Sequence, residues 1–221
     1  MLWNYPEAEE PLFLIVPGLF NSGPDHWQTH WESQLPGSAR VELGLWDDPQ
    51  RNAWVNQLNL AIHSAGQPVI LVAHSLGCHA VSWWAEYERP DPSGPVKGAL
   101  LVAPPEVENP GLDERLARFA PVVKQSLPFP SIVVASRDDP YIAFGRARRL
   151  ARIWKSRFVD AGWLGHINSE SNLREWPFGL FLLRQLRDSV APALQPLVAG
   201  GNYEALLRSR NGTGTPSLAL R

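Results

Sequence analysis

Val69-Ile70-Leu71-Val72-Ala73-His74-Ser75-Leu76-Gly77-Cys78 reads as a strand that stops on a serine and turns at once into a helix. Five apolar residues without a polar break indicate a strand covered on both faces. A helical pattern, Leu76–Glu88, begins directly after Ser75. Such a strand-to-helix turn can hold a serine in a strained conformation at the carboxyl end of a sheet, provided that the residues two before and two after are small. Here they are Ala73 and Gly77. The common pattern has Gly at both places, so Ala73 departs from it by one methyl group. A Ser-x-Gly triplet arises by chance about once in a chain of this length, and Ser64-Ala65-Gly66 is such a case, at a helix end. Position between a buried strand and a helix separates Ser75 from that decoy.

Similar apolar runs recur at Leu12–Val16, Val96–Val102 and Ile132–Ala135, with weaker ones at Val41–Leu45 and Ser156–Val159. Between them lie helical patterns at Pro24–Leu35, Arg51–Ser64, Ile142–Trp154 and Leu173–Arg187, the last with Phe178, Phe181, Leu182 and Leu186 as its expected inward stripe. The alternation predicts an α/β fold of about six mostly parallel strands with helices on both faces. Pro104 to Pro130 has room for one helix and loops but not for a cap domain. Residues 1–188 are expected to form the domain, and 189–221, rich in Gly, Pro and Asn, a partly flexible extension with a helical turn at Tyr203–Arg208.

The 221 residues, 44% hydrophobic and 19% charged, suit one domain with a tail. Twenty basic against 22 acidic side chains give a net charge of −2, which argues against a general nucleic-acid binder. Cys78 is the only cysteine, so no intrachain disulfide can form and the Cys–Cys spacing of a structural zinc site is missing. An acidic start, and apolar runs of about five residues against the roughly 20 that cross a bilayer, point to a soluble cytoplasmic protein without membrane contact. Ten tryptophans serve mainly the core.

A serine hydroxyl needs a base, and the base needs a carboxylate to fix its tautomer. In this class of fold the three follow in the order Ser, acid, His on strand-end loops. The strand ending at Ala135 runs into Ser136-Arg137-Asp138-Asp139-Pro140-Tyr141, and the one ending at Val159 into Asp160-Ala161-Gly162-Trp163-Leu164-Gly165-His166. The residues alone leave Asp138 and Asp139 open: one faces His166, the other caps the helix near Pro140–Tyr141. Two backbone donors are needed for an oxyanion. The N–H of Leu76 is one; the loop Val16-Pro17-Gly18-Leu19-Phe20 supplies the other, from Leu19 with Phe20 as its near alternative. Gly18, Phe20 and His26 are expected to line the cleft.

These segments resemble the small serine hydrolases related to retinoblastoma-binding protein nine and its bacterial YdeN-like counterparts, α/β-hydrolases without a large cap. The resemblance spans about residues 11–187. It rests on Val16-Pro17-Gly18 with Ser22-Gly23-Pro24-Asp25-His26-Trp27-Gln28, on Ala73-His74-Ser75-Leu76-Gly77-Cys78, on Ser136-Arg137-Asp138-Asp139-Pro140, and on Gly165-His166-Ile167-Asn168. It implies Ser75 as nucleophile, His166 as base and Asp139, directly before the proline, as acid. The three triad types on their proper loops lead to an expected hydrolysis of small or medium carboxylic esters, or amides, through an acyl-enzyme without a cofactor. The retinoblastoma-pocket motif Leu-x-Cys-x-Glu is absent, because Leu76-Gly77-Cys78-His79 is followed by Ala80, so no protein partner is carried over.

Other readings are weaker. His26 and His30 lie one helical turn apart, but Trp27 stands where a metalloprotease has Glu, so no metal site is expected. His74 is expected to point away from the site as a structural residue, and Cys78 to pack as a small buried group. The basic cluster Arg146, Arg148, Arg149, Arg152, Lys155 and Arg157 reads as a solvated helix side. The competing functional class is a hydrolase fold without activity that serves as a protein-binding or regulatory module.

Overall fold

The computed structural model describes residues 10–191. Six strands, β1 (Leu12–Val16), β2 (Ser38–Arg40), β3 (Val69–His74), β4 (Val96–Val102), β5 (Ser131–Ala135) and β6 (Arg157–Asp160), form one sheet in the order β2-β1-β3-β4-β5-β6. All neighbouring pairs are parallel. The helices are α1 (Trp27–Gln34), α2 (Arg51–Ser64), α3 (Leu76–Glu88), the short α4 (Glu114–Ala117), α5 (Phe144–Ile153) and α6 (Pro177–Val190). The expected α/β architecture without a large cap is therefore present.

Alternation along the buried strands separates two cores. Leu14, Val16, Leu71, Ala73, Ala99, Leu101 and Val133 face a layer built from α2, α3 and the end of α5. Their neighbours Phe13, Ile15, Ile70, Val72, Leu100, Val102, Ile132 and Val134 face α1 and α6. Uninterrupted apolar runs follow from this arrangement, since both sides of the sheet are covered. Strand order reverses between β1 and β3, and the crevice at their carboxyl ends is where open α/β sheets place ligands.

Three expectations need correction. The weak strand at Val41–Leu45 is displaced: the pairing segment is Ser38–Arg40, and only the Val41 N–H continues toward β1, donating to the Ile15 oxygen at 2.9 Å. Val41 and Leu43 alternate because both enter the core, while Gly44 and Leu45 at positive φ turn the chain away. In α6 the inward residues are Gly179, Leu182, Leu183 and Leu186; Phe178 and Phe181 are exposed. That helix begins at Pro177, after a 3₁₀ turn at Ser169–Ser171, rather than at Leu173. The same helix ends at Val190 rather than at Arg187. The helical turn expected at Tyr203–Arg208 and nearly all of the extension lie outside the described residues.

Tryptophans fill the core as expected, and several of their N–H groups reach backbone acceptors. Trp54 donates to Gly44 O at 2.8 Å, and Trp154 donates to Val123 O at 3.1 Å. Such partners remove the cost of burying an indole donor. The basic residues of α5 are exposed while Ala147, Leu150 and Ala151 face inward. No helix among the described residues is long and apolar enough to cross a membrane.

Candidate active site

Ser75 sits between β3 and α3 with φ 52° and ψ −126°. A non-glycine residue in that region costs about 1–3 kcal/mol and persists only when its surroundings impose it. They do so here. The Ser75 N–H donates to Val102 O at 2.9 Å, and a side chain at Gly77 would overlap the carbonyl oxygens of Val16 and Pro17. At Gly18 a Cβ would lie 2.7 Å from the Ser75 Cβ and 3.2 Å from its Oγ. Glycine at both positions lets the β1 loop and the β3 turn approach closely.

His166 comes from the loop after β6. Its Nε2 is 2.8 Å from Ser75 Oγ, and its Nδ1 is 3.0 Å from both carboxylate oxygens of Asp139, whose side chain is 1% exposed. An ionised carboxylate only accepts, so Nδ1 carries the proton and Nε2 is free to accept from the serine hydroxyl. Asp139 Oδ1 also accepts from the Tyr141 N–H at 2.9 Å. Asp138 does not cap a helix, because α5 starts only at Phe144. Its Oδ1 accepts from the Ser136 hydroxyl at 2.6 Å and from the Gly165 N–H at 2.9 Å, tying the histidine loop to the loop after β5. Those hydrogen bonds, led by that of Ser136, hold its carboxyl below the usual carboxylate range.

The backbone donors divide cleanly. Phe20 N–H is spent on Trp46 O at 2.8 Å, whereas the N–H groups of Leu19 and Leu76 have no hydrogen-bond partner among the described residues.

Next to Ser75 lies a cavity of about 250 Å³ whose walls include Leu19, Phe20, His26, Leu116 and Tyr141. Gly18 is buried behind Ser75 and does not line it. Polar residues Asn21, Asp113, Asn168 and Ser169 also face the cavity. Asp113 and Leu116 come from the N-cap and body of the short α4 in the Pro104–Pro130 connection after β4, and no local signal in that segment marks them as cavity residues.

His74 is placed differently from the expectation that it points away. It lines the same cavity, with its ring centroid 5.0 Å from that of His166, and its Nε2–H donates to the His166 carbonyl at 3.0 Å. The role is structural, but it supports the histidine loop directly. His26 caps α1 by accepting the Gln28 N–H at Nδ1, 3.1 Å. Burial, with the Arg40 and His166 charges adding to it, lowers the His26 pKa to about 3, and burial pushes His74 well below the ordinary imidazole range. Both rings are therefore neutral at pH 7. His26 and His30 do not join a third ligand in any metal-holding group among the described residues. Cys78 is buried beside Val102 O, and burial raises its thiol.

The segment His26-Trp27-Gln28 acts as a brace. Trp27 Nε1 donates to Ile167 O at 2.8 Å, holding a β-branched residue at φ 50° immediately after His166. Gln28, fully buried, donates to Val16 O at 3.3 Å and Val72 O at 2.9 Å and accepts from the Ser22 hydroxyl at 2.7 Å. One side chain thus links the ends of β1 and β3 to the loop that carries His26. Sequence reasoning found the motif but not this function, since its partners are up to 140 residues away.

Comparison with known proteins gives the family and the fold. The family model described as "Serine hydrolase" matches residues 13–185. A YdeN-like hydrolase from Pectobacterium atrosepticum is similar at 32% identity, with 83% of this chain and 94% of that chain covered and a TM-score of 0.72. The ydeN gene product of B. subtilis shares the fold at 22% identity, over 80% of this chain and 99% of that one, with a TM-score of 0.68. Est1E from Butyrivibrio proteoclasticus shares it at 16% identity, over 82% and 91%, with a TM-score of 0.62. No curated protein matches the chain significantly in sequence. A serine at a strained strand-to-helix turn, an imidazole within reach of it and a match over most of the sheet lead to one conclusion: the chain belongs to the serine hydrolase family, as a small α/β-hydrolase of the YdeN-like group.

Proposed function

We propose that this hydrolase cleaves carboxylic esters of small or medium acyl groups through a covalent acyl-serine. The observation that carries the reading is the continuous path from Ser75 Oγ to His166 Nε2 at 2.8 Å and from His166 Nδ1 to the Asp139 carboxylate at 3.0 Å. His166 takes the hydroxyl proton as Ser75 Oγ bonds to the substrate carbonyl carbon, and Asp139 stabilises the imidazolium. The N–H groups of Leu19 and Leu76, both lacking protein partners, serve the oxyanion that develops. Collapse of the tetrahedral adduct breaks the bond to the alcohol oxygen, which leaves with the proton from His166. A water then loses its proton to His166, attacks the acyl carbon and releases the acid with Ser75 restored.

A cavity of about 250 Å³ fits a short or medium acyl chain and limits long ones. Asp139 is the orienting acid because its carboxylate meets Nδ1, whereas Asp138 is engaged with Ser136 and Gly165. The lone buried thiol of Cys78 fits a reducing compartment, and we place the enzyme in the cytoplasm.

The test is acid-quenched intact-mass analysis during turnover of p-nitrophenyl butyrate, repeated over esters of graded acyl length. The wild type is expected to accumulate one butyryl adduct that Ser75→Ala lacks, with turnover declining toward long chains. Hydrolysis that survives Ser75→Ala, or a preference for long chains, overturns the reading.

A further inference from the structure

A second concavity, of about 430 Å³, shares His166, Tyr141 and Asn168 with the first cavity. Its wall carries Trp163, 69% exposed, the most exposed large hydrophobic side chain among the described residues. Lone exposed apolar residues are common and need no explanation. Trp163 differs in its footing. On both sides its backbone is pinned: Gly162 N–H donates to Asp160 at 2.9 Å, Gly162 O accepts from the Arg137 N–H at 2.7 Å, and Leu164 N–H donates to the Ser136 hydroxyl at 2.8 Å. Gly165 N–H is fixed in turn on Asp138. The loop thus fixes the backbone that carries a large flat ring at the rim of the site, which lowers the ordering that binding still requires.

Chemistry says which part of a substrate reaches this groove. His166 must hand its proton to the leaving oxygen, so the alcohol portion lies against the imidazole, and His166 lines this groove as well as the first cavity. Besides the rings of Trp163 and Tyr141, the groove presents Asp138, Glu170 and Asn168. The Glu170 carboxylate accepts no hydrogen bond from the described residues, whereas Asp138 is held by Ser136 and Gly165. A free carboxylate beside an indole face repels an anionic ring, gives nothing to a bare phenyl ring and accepts hydrogen bonds from hydroxyl groups.

We propose that Trp163 and the flanking Glu170 carboxylate form a leaving-group subsite for a neutral, hydroxylated ring, which makes the substrates esters of sugars or similar cyclic polyols. This rests on the ester-hydrolase reading and extends it to the alcohol half of the substrate.

The test compares three butyrate esters, of methyl glucoside at its primary hydroxyl, of benzyl alcohol and of ethanol, with the wild type, Trp163→Ala, Trp163→Phe and Glu170→Gln. The wild type is expected to show a kcat/KM for the sugar ester at least about tenfold above that for the ethyl ester. Trp163→Ala should collapse that ratio to near one, mainly through KM, Trp163→Phe should retain part of it, and Glu170→Gln should lower it for the sugar ester alone. Unchanged thermal unfolding of the variants excludes misfolding, since the indole lies mostly in water. A benzyl ester preferred over the sugar ester, or equal ratios in wild type and Trp163→Ala, overturns the proposal. Absence of Ser75-dependent turnover of all three esters instead sinks the esterase reading itself, so the two failures are distinguishable.

Discussion

Exchanging each of the two adjacent aspartates for asparagine separates their roles. In Asp139→Asn the side-chain oxygen keeps the Tyr141 N–H, which Asp139 Oδ1 accepts at 2.9 Å. The amide nitrogen then faces His166 Nδ1, where both carboxylate oxygens stand at 3.0 Å. An amide there donates, forces the imidazole proton onto Nε2 and leaves nothing to accept the Ser75 proton across the 2.8 Å contact. The buried imidazolium loses its counter-charge as well. The corresponding change in the serine proteases lowers kcat about 10⁴-fold, or about 5.4 kcal/mol at 1.36 kcal/mol per decade, and a loss of that order is expected here. Asp138→Asn keeps an oxygen acceptor for Ser136 and Gly165, so its kcat/KM should stay within about tenfold of wild type. Steady-state hydrolysis of p-nitrophenyl butyrate from pH 6 to 9, with urea unfolding of each variant as a control for folding, measures both. A larger loss from Asp138→Asn than from Asp139→Asn, with both proteins folded, refutes the reasoning.

Two further outcomes follow from the geometry. In Gly18→Ala the new methyl would lie 2.7 Å from Ser75 Cβ, so the serine or the β1 loop must retreat. A shift on the order of 1 Å costs about 100-fold in turnover, to be read as kcat with stability lowered by about 1–3 kcal/mol in urea; activity within about threefold of wild type would show that the close approach is not needed. Acid sensitivity arises from buried neutral histidines: burial lowers His26 to about 3 and His79 to about 4, and pushes His74 well down. The unfolded chain takes up protons near pH 6.5 while the folded one does not, so this stability is fully present above about pH 6.5 and is lost as pH falls toward 4. Each histidine contributes a slope of up to about 1.4 kcal/mol per pH unit. Urea midpoints between pH 7.5 and 5 should fall steeply, and His79→Gln, which can keep the donation to Pro105 O, should flatten the slope by one proton; a flat wild-type profile contradicts this.

The parts of the site that sequence made legible are those whose demands are local. Ser75 could be read because a buried strand, a small Ala73 and Gly77 and an immediate helix are all required within a few residues. His166 and the aspartate pair could be read because they end consecutive strands. Choosing Asp139 over Asp138 needed the family resemblance, since both sit on one loop and only the direction of each carboxylate separates them. Trp27 and Gln28 stood out as a motif, but their partners, Ile167 O and Val72 O, are long-range. Asp113 and Leu116 enter the cavity from the N-cap and body of the short α4, which is too brief to show periodicity. The displaced β2 has a similar cause: Val41 and Leu43 alternate for burial, which sequence cannot tell from alternation for pairing.

Labelling with a fluorophosphonate probe followed by peptide mass mapping interrogates the Ser75–His166–Asp139 assignment most directly. A single modified residue, Ser75, is expected, with labelling abolished in Ser75→Ala and strongly slowed in Asp139→Asn. Modification at another serine, or equal labelling of Ser75→Ala and wild type, would contradict it.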